Sequence, residues 1–161
     1  MKNRIRIVEF PRCKMASSGY SRDENPFAEG GTLRRFDQWW SEEDKKRADK
    51  WFPRDFMMYD PDEKALTWFY ALPDGAEWPV DFEVVDYEGG LYASAVAIDG
   101  DDEDGQAVYE SLKEWVKVSG NFELDERPGH YNLWHVISPQ KVSEVIGHNQ
   151  LEIFVPIKIK Q

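Results

Sequence analysis

The chain has 161 residues, 41% of them apolar and 14% aromatic, which suits one globular domain or two packed halves and excludes a disordered polypeptide. Its 20 Lys and Arg stand against 31 Asp and Glu, and the resulting net charge of −11 argues against direct nucleic-acid binding and for cationic partners or a solvated acidic surface. Cys13 is the single cysteine, so no internal disulfide forms, and neither a signal peptide nor a membrane-spanning run is present, so a cytoplasmic protein without membrane contact is expected.

Residues 4 to 10 alternate Ile5 and Ile7 with Arg4 and Arg6, the pattern of a half-buried strand ended by Pro11. Residues 14 to 20 return as a second extended segment, and residues 21 to 31, with Asn25-Pro26 and Gly30-Gly31, form a loop. Thr32 is placed to cap a helix with Leu33, Phe36, Trp39 and Trp40 at helical spacing, continuing through the charged residues 41 to 50 until Pro53. Residues 56 to 59 and 65 to 72 read as a hairpin around Asp60-Pro61-Asp62, and residues 73 to 79 are the one plausible linker. Strands follow at residues 82 to 87 and 91 to 98, with an acidic loop from Asp99 to Asp104. A helix carries Val108, Leu112 and Trp115 on one face and stops at Gly120. Residues 131 to 137 read as a strand, 139 to 149 as a connector, and 151 to 159 as an alternating closing strand.

The chain writes one pattern twice. Laid over residues 5 to 17, residues 82 to 94 keep the character of Ile5/Phe82, Ile7/Val84, Val8/Val85, Glu9/Asp86, Phe10/Tyr87, Met15/Tyr92, Ala16/Ala93 and Ser17/Ser94, and Leu33, Phe36 and Trp39 fall opposite Tyr109, Leu112 and Trp115. Each half is therefore strand, strand, helix, strand, strand. The expected fold is α+β, a pseudo-twofold duplication with helices on one face of largely antiparallel sheet. The whole of residues 1–161 is read as a single domain, with a first repeat at about residues 1–75 and a second at about 80–161.

The second half resembles the GyrI-like small-molecule-binding domain, also found as the effector-binding domain of AraC- and MerR-type multidrug regulators. Three stretches carry the likeness: Gly90-Leu91-Tyr92-Ala93; the helix end from Tyr109 to Val116 with Ser119-Gly120; and Leu151-Glu152-Ile153-Phe154-Val155-Pro156-Ile157, similar to the family's closing strand. The resemblance implies a pair of β-α-β-β units whose two main helices flank a ligand cleft, in a bacterial protein of the transcription-regulation type that holds an amphipathic or cationic small molecule between aromatic side chains. Family members often place a buried glutamate two residues before an aromatic at the cleft floor, where this chain has Asn132-Leu133-Trp134. Asn offers a dipole in place of a charge, so neutral and hydrogen-bonding ligands become as admissible as cations.

The expected ligand-binding set is Tyr92, Trp134, Trp68, Tyr70 and Phe154 as walls, Trp40 and Trp115 as flanks, and Asn132 as the orienting polar group. For Phe36, Trp39 and Leu112 the expectation is core packing. Glu152 alternates with inward-facing apolar residues and is expected at the solvent, with a cleft-facing place as substitute acid the alternative. If residues 131 to 137 were shifted by one position, Tyr131, Leu133 and His135 would face the cleft instead. His130, His135 and His148 show no metal-binding spacing, Cys13 reads as packed, and no nucleotide-loop, dinucleotide or nucleophile-elbow motif is present. Neither cofactor nor metal is expected, and whether the protein is an enzyme stays open.

Three functions follow. The first is stand-alone binding of a small amphipathic or aromatic ligand, since no helix-turn-helix segment appears in the sequence. The second is an acidic inhibitor of a DNA-handling enzyme, with a protein as partner. The third is a hydrolase of electrophilic toxins, for which Glu152 and Glu83 are the first acids to consider. Oligomeric state is not legible.

Overall fold

In the computed structural model, which describes residues 4–161, the chain forms two compact units. One contains residues 4–11 together with Gly89–Gln161; the other is Arg12–Glu88. All pairings within the units are antiparallel, and each unit places its long helix on one face of its sheet, an α+β architecture.

In the first unit β1 (Arg6–Phe10) pairs with β6 (Gly90–Ile98), β6 with β9 (Gln150–Ile159), and β9 with both β8 (Leu133–Val136) and the short β7 (Phe122–Leu124). Side chains opposite one another in these ladders share a face. Ala93 and Ala97 of β6 and Ile153, Val155 and Ile157 of β9 lie under Leu112 and Val116 of α2 (Asp102–Ser119). The alanines let the helix approach closely, and the larger β9 side chains fill the neighbouring row.

In the second unit the order is β3 (Asp55–Asp60), β4 (Ala65–Ala71), β2 (Cys13–Ser17), β5 (Glu83–Tyr87). Helix α1 (Thr32–Lys45) sets Phe36 against Ala16, Tyr70 and Leu72, with Trp39, Trp40, Trp68 and Phe82 packed around them. Phe36 meets Phe82 edge-on at 5.0 Å between centroids, a favoured aromatic geometry.

The repeated strands therefore pair crosswise. β1 and β2 come from the first copy and β5 and β6 from the second, yet β1 pairs with β6 and β2 with β5.

Several local expectations need correction. The acidic run begins α2: Asp101 caps it by accepting from the Asp104 amide at 3.0 Å, and Asp102, Glu103 and Asp104 occupy the first turn, where carboxylates oppose the positive end of the helix dipole. Helix α1 has no side-chain cap at Gly31; instead Asp23, from the preceding loop, accepts the Thr32 amide at 2.6 Å. It ends at Lys45, where Arg47 folds back onto Asp44 at 2.6 Å and donates to the Phe52 carbonyl. The connector after residue 139 holds α3 (Gln140–Ile146), closed by left-handed Gly147, and β7 had no sequence signal. No described helix is long and apolar enough to cross a membrane.

Candidate functional site

The face of the first unit's sheet away from α2 carries a row of buried aromatic and polar side chains. Registers Arg6↔Ser94, Val8↔Tyr92 and Phe10↔Gly90 put Arg6 and Phe10 of β1 on the same face as Tyr92 and Ser94 of β6. On β9, Glu152, Phe154 and Pro156 alternate with the α2-facing residues and so join this face, as do Leu133 and His135 of β8, opposite Phe154 and Glu152. The rings are in contact: Phe10 lies 4.8 Å from Tyr92 and 5.0 Å from Phe154, and His135 packs edge-on to Phe154 at 5.1 Å.

At one end of the row stands Glu152, only 4% exposed, so the expectation of solvent exposure fails. Arg6 donates from Nη2 to Oε1 at 2.5 Å and from Nε at 3.2 Å, and Ser94 Oγ donates to the same oxygen at 2.8 Å. His135 Nε2 lies 3.6 Å from Oε2. Burial pushes the Glu152 carboxyl up, but His135, Arg6 and Ser94 together outweigh it and hold the group below the ordinary glutamate value. The site therefore contains a buried, ionised carboxylate with its charge compensated on one side.

At the other end, Tyr92 is completely buried, and its hydroxyl has no hydrogen-bonding partner among the described residues. Such a group forfeits about 1–3 kcal/mol unless an acceptor reaches it. The His130 ring packs 5.4 Å from the Tyr92 ring, with His130 Nε2 3.7 Å from Asp125 Oδ2. Burial raises the Asp125 carboxyl, but the Arg127 guanidinium, bonded through Nε at 3.0 Å, more than reverses this and leaves it below the usual range. Gly90 is required beside this cluster: its φ of 140° lies in the glycine region, and a Cβ there would sit 3.3 Å from His130 Nε2.

A groove of about 850 Å³ reaches Arg6, Ser94 and Glu152 past Val96 of β6, with Val108 and Leu112 of α2 on its other wall. That volume lies within the roughly 300–1,000 Å³ of small-molecule sites. Ser94 and His135 both converge on the carboxylate, and Ser94 Oγ donates to Glu152, not to His135. A serine nucleophile with a histidine base is therefore not assembled here. Among the described residues no group of three His, Cys, Asp or Glu is placed to hold a metal.

Of the residues expected from sequence, Tyr92 and Phe154 lie on this face. Trp115 stacks on Phe122 at 5.7 Å on the α2 side of the sheet. Asn132 precedes β8, and the register of that strand turns Trp134 to the α2 side and brings Leu133 and His135 to the Tyr92 face, the one-residue alternative. Trp68 and Tyr70 share a face in the second unit, as read from their spacing, but that face is covered by α1, where Trp40 stacks on Tyr70 at 6.0 Å and lies 5.7 Å from Trp68. Trp68 Nε1 donates to Asp55 and Tyr70 Oη to Asp44, so both polar tips are engaged in local packing. Burial, reinforced by Asp44, raises the Tyr70 phenol well above its usual value. Arg6, Phe10 and His130 were missed by the sequence reading, and His135 entered it only through the one-position alternative for its strand. The alternation of Arg6 with Ile5 and Ile7 marked it as facing the other way, but nothing local marked its partner.

The sequence matches no family model, and no curated protein resembles it. Its fold is nevertheless that of several solved structures. It superposes on the EcmrR C-terminal domain at 13% identity with a TM-score of 0.63, covering 98% of this chain and 99% of that one. It superposes likewise on SAV2435 bound to tetraphenylphosphonium, at 12% identity and a TM-score of 0.57 over 96% and 93% of the two chains. A hydrolase from Listeria innocua shares the fold at 11% identity and a TM-score of 0.62 over 98% and 93%. At these identities the likeness establishes the fold alone, a fold shared with the EcmrR C-terminal domain and with a protein bound to tetraphenylphosphonium.

Proposed function

We propose that the protein binds an amphipathic, ring-bearing small molecule on the Tyr92, Phe154 and Glu152 face, in the manner of the effector-binding domains of GyrI type. The observation that carries this is the pairing of a buried ionised Glu152 with a buried, partnerless Tyr92 hydroxyl at the two ends of one aromatic row. Such polar groups are costly in a core that serves packing alone, whereas a ligand pocket is aromatic wall with a few polar groups that fix orientation. The drug-bound state of the similarly folded SAV2435 supports the same reading.

Calorimetric titration with multi-ring amphiphiles, charged and neutral, at low and high salt tests it. Saturable single-site binding that persists at high salt is the expected result, since burial among rings is screened far less than a surface-charge contact. The absence of saturable binding for every compound contradicts the proposal. Binding that survives only at low salt favours the acidic protein-directed reading.

Hydrolysis of an electrophilic ligand is a second reading, favoured by Glu152 and by the fold shared with a hydrolase. The arrangement supports a carboxylate acting through water and not a serine relay. Product formed by the native protein and not by Glu152→Gln would establish it.

A further inference from the structure

The carboxylate of this site is already neutralised from within its own unit. Oε1 of Glu152 accepts two bonds from Arg6 and one from Ser94, while Oε2 faces His135. Arg6 is held in place by the pairing Arg6↔Ser94, so the guanidinium is directed at Glu152 by the strand register, although its side chain remains 51% exposed along the groove.

We propose that Arg6 sets the charge preference of the site, so that its ligand is a neutral multi-ring amphiphile carrying a hydrogen-bond acceptor and not a lipophilic cation. This rests on the small-molecule reading above. A cation approaching Glu152 must either displace Arg6, losing a charge-assisted pair of hydrogen bonds, or remain beside a like charge. Either way the cation gains little from the carboxylate, and Arg6 acts as a repulsive element against that ligand class. The other end of the row adds a positive requirement. Tyr92 Oη is a buried phenol whose proton lacks an acceptor among the described residues, and an oxo or carbonyl oxygen on the ligand supplies one. A tetraaryl cation has no such atom.

Two probes of similar shape separate the possibilities: triphenylphosphine oxide, neutral with an acceptor oxygen, and tetraphenylphosphonium, cationic without one. Calorimetric titration of the native protein is expected to give an affinity for the oxide about tenfold or more above that for the phosphonium, a difference of about 1.4 kcal/mol. In Arg6→Gln, which leaves Glu152 without its cation, the ratio of affinities is expected to move by about tenfold or more toward the phosphonium. Arg6→Lys should keep the native order, and Tyr92→Phe should weaken the oxide about fivefold while leaving the phosphonium unchanged.

A native preference for the phosphonium, or the same ratio in Arg6→Gln as in the native protein, overturns the role of Arg6 while leaving the small-molecule reading intact. Failure of both probes to bind the native protein overturns that reading and the inference with it. Should circular dichroism show Arg6→Gln to be unfolded, the native ratio and Tyr92→Phe decide.

Discussion

Phe36→Ala is expected to destabilise the protein by about 3–5 kcal/mol, the range for removing a large aromatic from a closed core. Phe36 is fully buried and is the side chain through which α1 meets its sheet. Its ring lies 5.0 Å from Phe82, 5.5 Å from Trp39 and 6.2 Å from Trp68, so truncation empties the space between three rings at once. These neighbours come from the helix, from β4 and from the segment leading into β5, and none can collapse inward without leaving its own element. Urea unfolding is expected to show a lower midpoint with an unchanged slope. Trp51→Ala supplies the contrast: Trp51 is 84% exposed, and its loss should change stability by about 0.5 kcal/mol or less. Equal effects at the two positions would mean that α1 is not seated as described.

The second large effect is at Glu152. Replacement by Ala leaves Arg6 and Ser94 without their common acceptor and takes the carboxylate away from His135, and breaking a fully buried ion pair in this way costs about 3–5 kcal/mol. Arg6 is half exposed and can turn to water, which reduces the expected loss to about 2–3 kcal/mol. Glu152→Gln preserves shape and one acceptor, and its smaller loss isolates the charge.

The pH dependence fixes the sign. The folded carboxyl lies below its unfolded value, so its contribution is complete above the unfolded pKa, roughly 4.3, and disappears as the pH falls toward the folded value. Asp125, Asp44 and Asp60 are also held low and titrate in the same region, so acid lowers stability in both proteins. The difference between native protein and Glu152→Gln is expected to be constant near neutrality and to shrink below about pH 4.3. A difference that does not depend on pH would show that Glu152 acts through its shape and not its charge.

The alternation of Ile5, Ile7 and of Leu151 through Ile159 marked strands, and the spacing of Val108, Leu112 and Trp115 marked the helix over the first unit's core. Periodicity also sorted Trp68 with Tyr70 correctly. What a period of two does not encode is which of the two faces receives the helix, and α1 covers the one that carries those aromatics. The internal repeat was legible as similarity, but similarity is silent on whether a strand pairs within its own copy, and here β1 and β2 each pair with a strand of the other.

The site was less legible for a related reason. A lone glutamate in a strand reads as solvent-exposed unless its counter-charge is known, and Arg6 is 146 positions away. Asn132 drew attention because the acid of the resembled family was sought near it, while the buried Glu152 carboxylate lies on β9. The register of β8 follows from pairing His135 with Glu152 and Leu133 with Phe154, long-range contacts with no local signature. The acidic run before α2 was misassigned because three carboxylates in succession look like solvated loop until Asp101 is recognised as a cap.

The most direct test of the account locates a bound probe. Intermolecular nuclear Overhauser effects should be recorded between triphenylphosphine oxide and the assigned aromatic protons of the protein. The account predicts contacts to Tyr92, Phe154 and Phe10, lost or shifted in Tyr92→Phe. Contacts confined to the Trp40, Trp68 and Tyr70 cluster would contradict it, because the ligand would then be held by the rings packed under α1 and not by the face that carries the buried carboxylate.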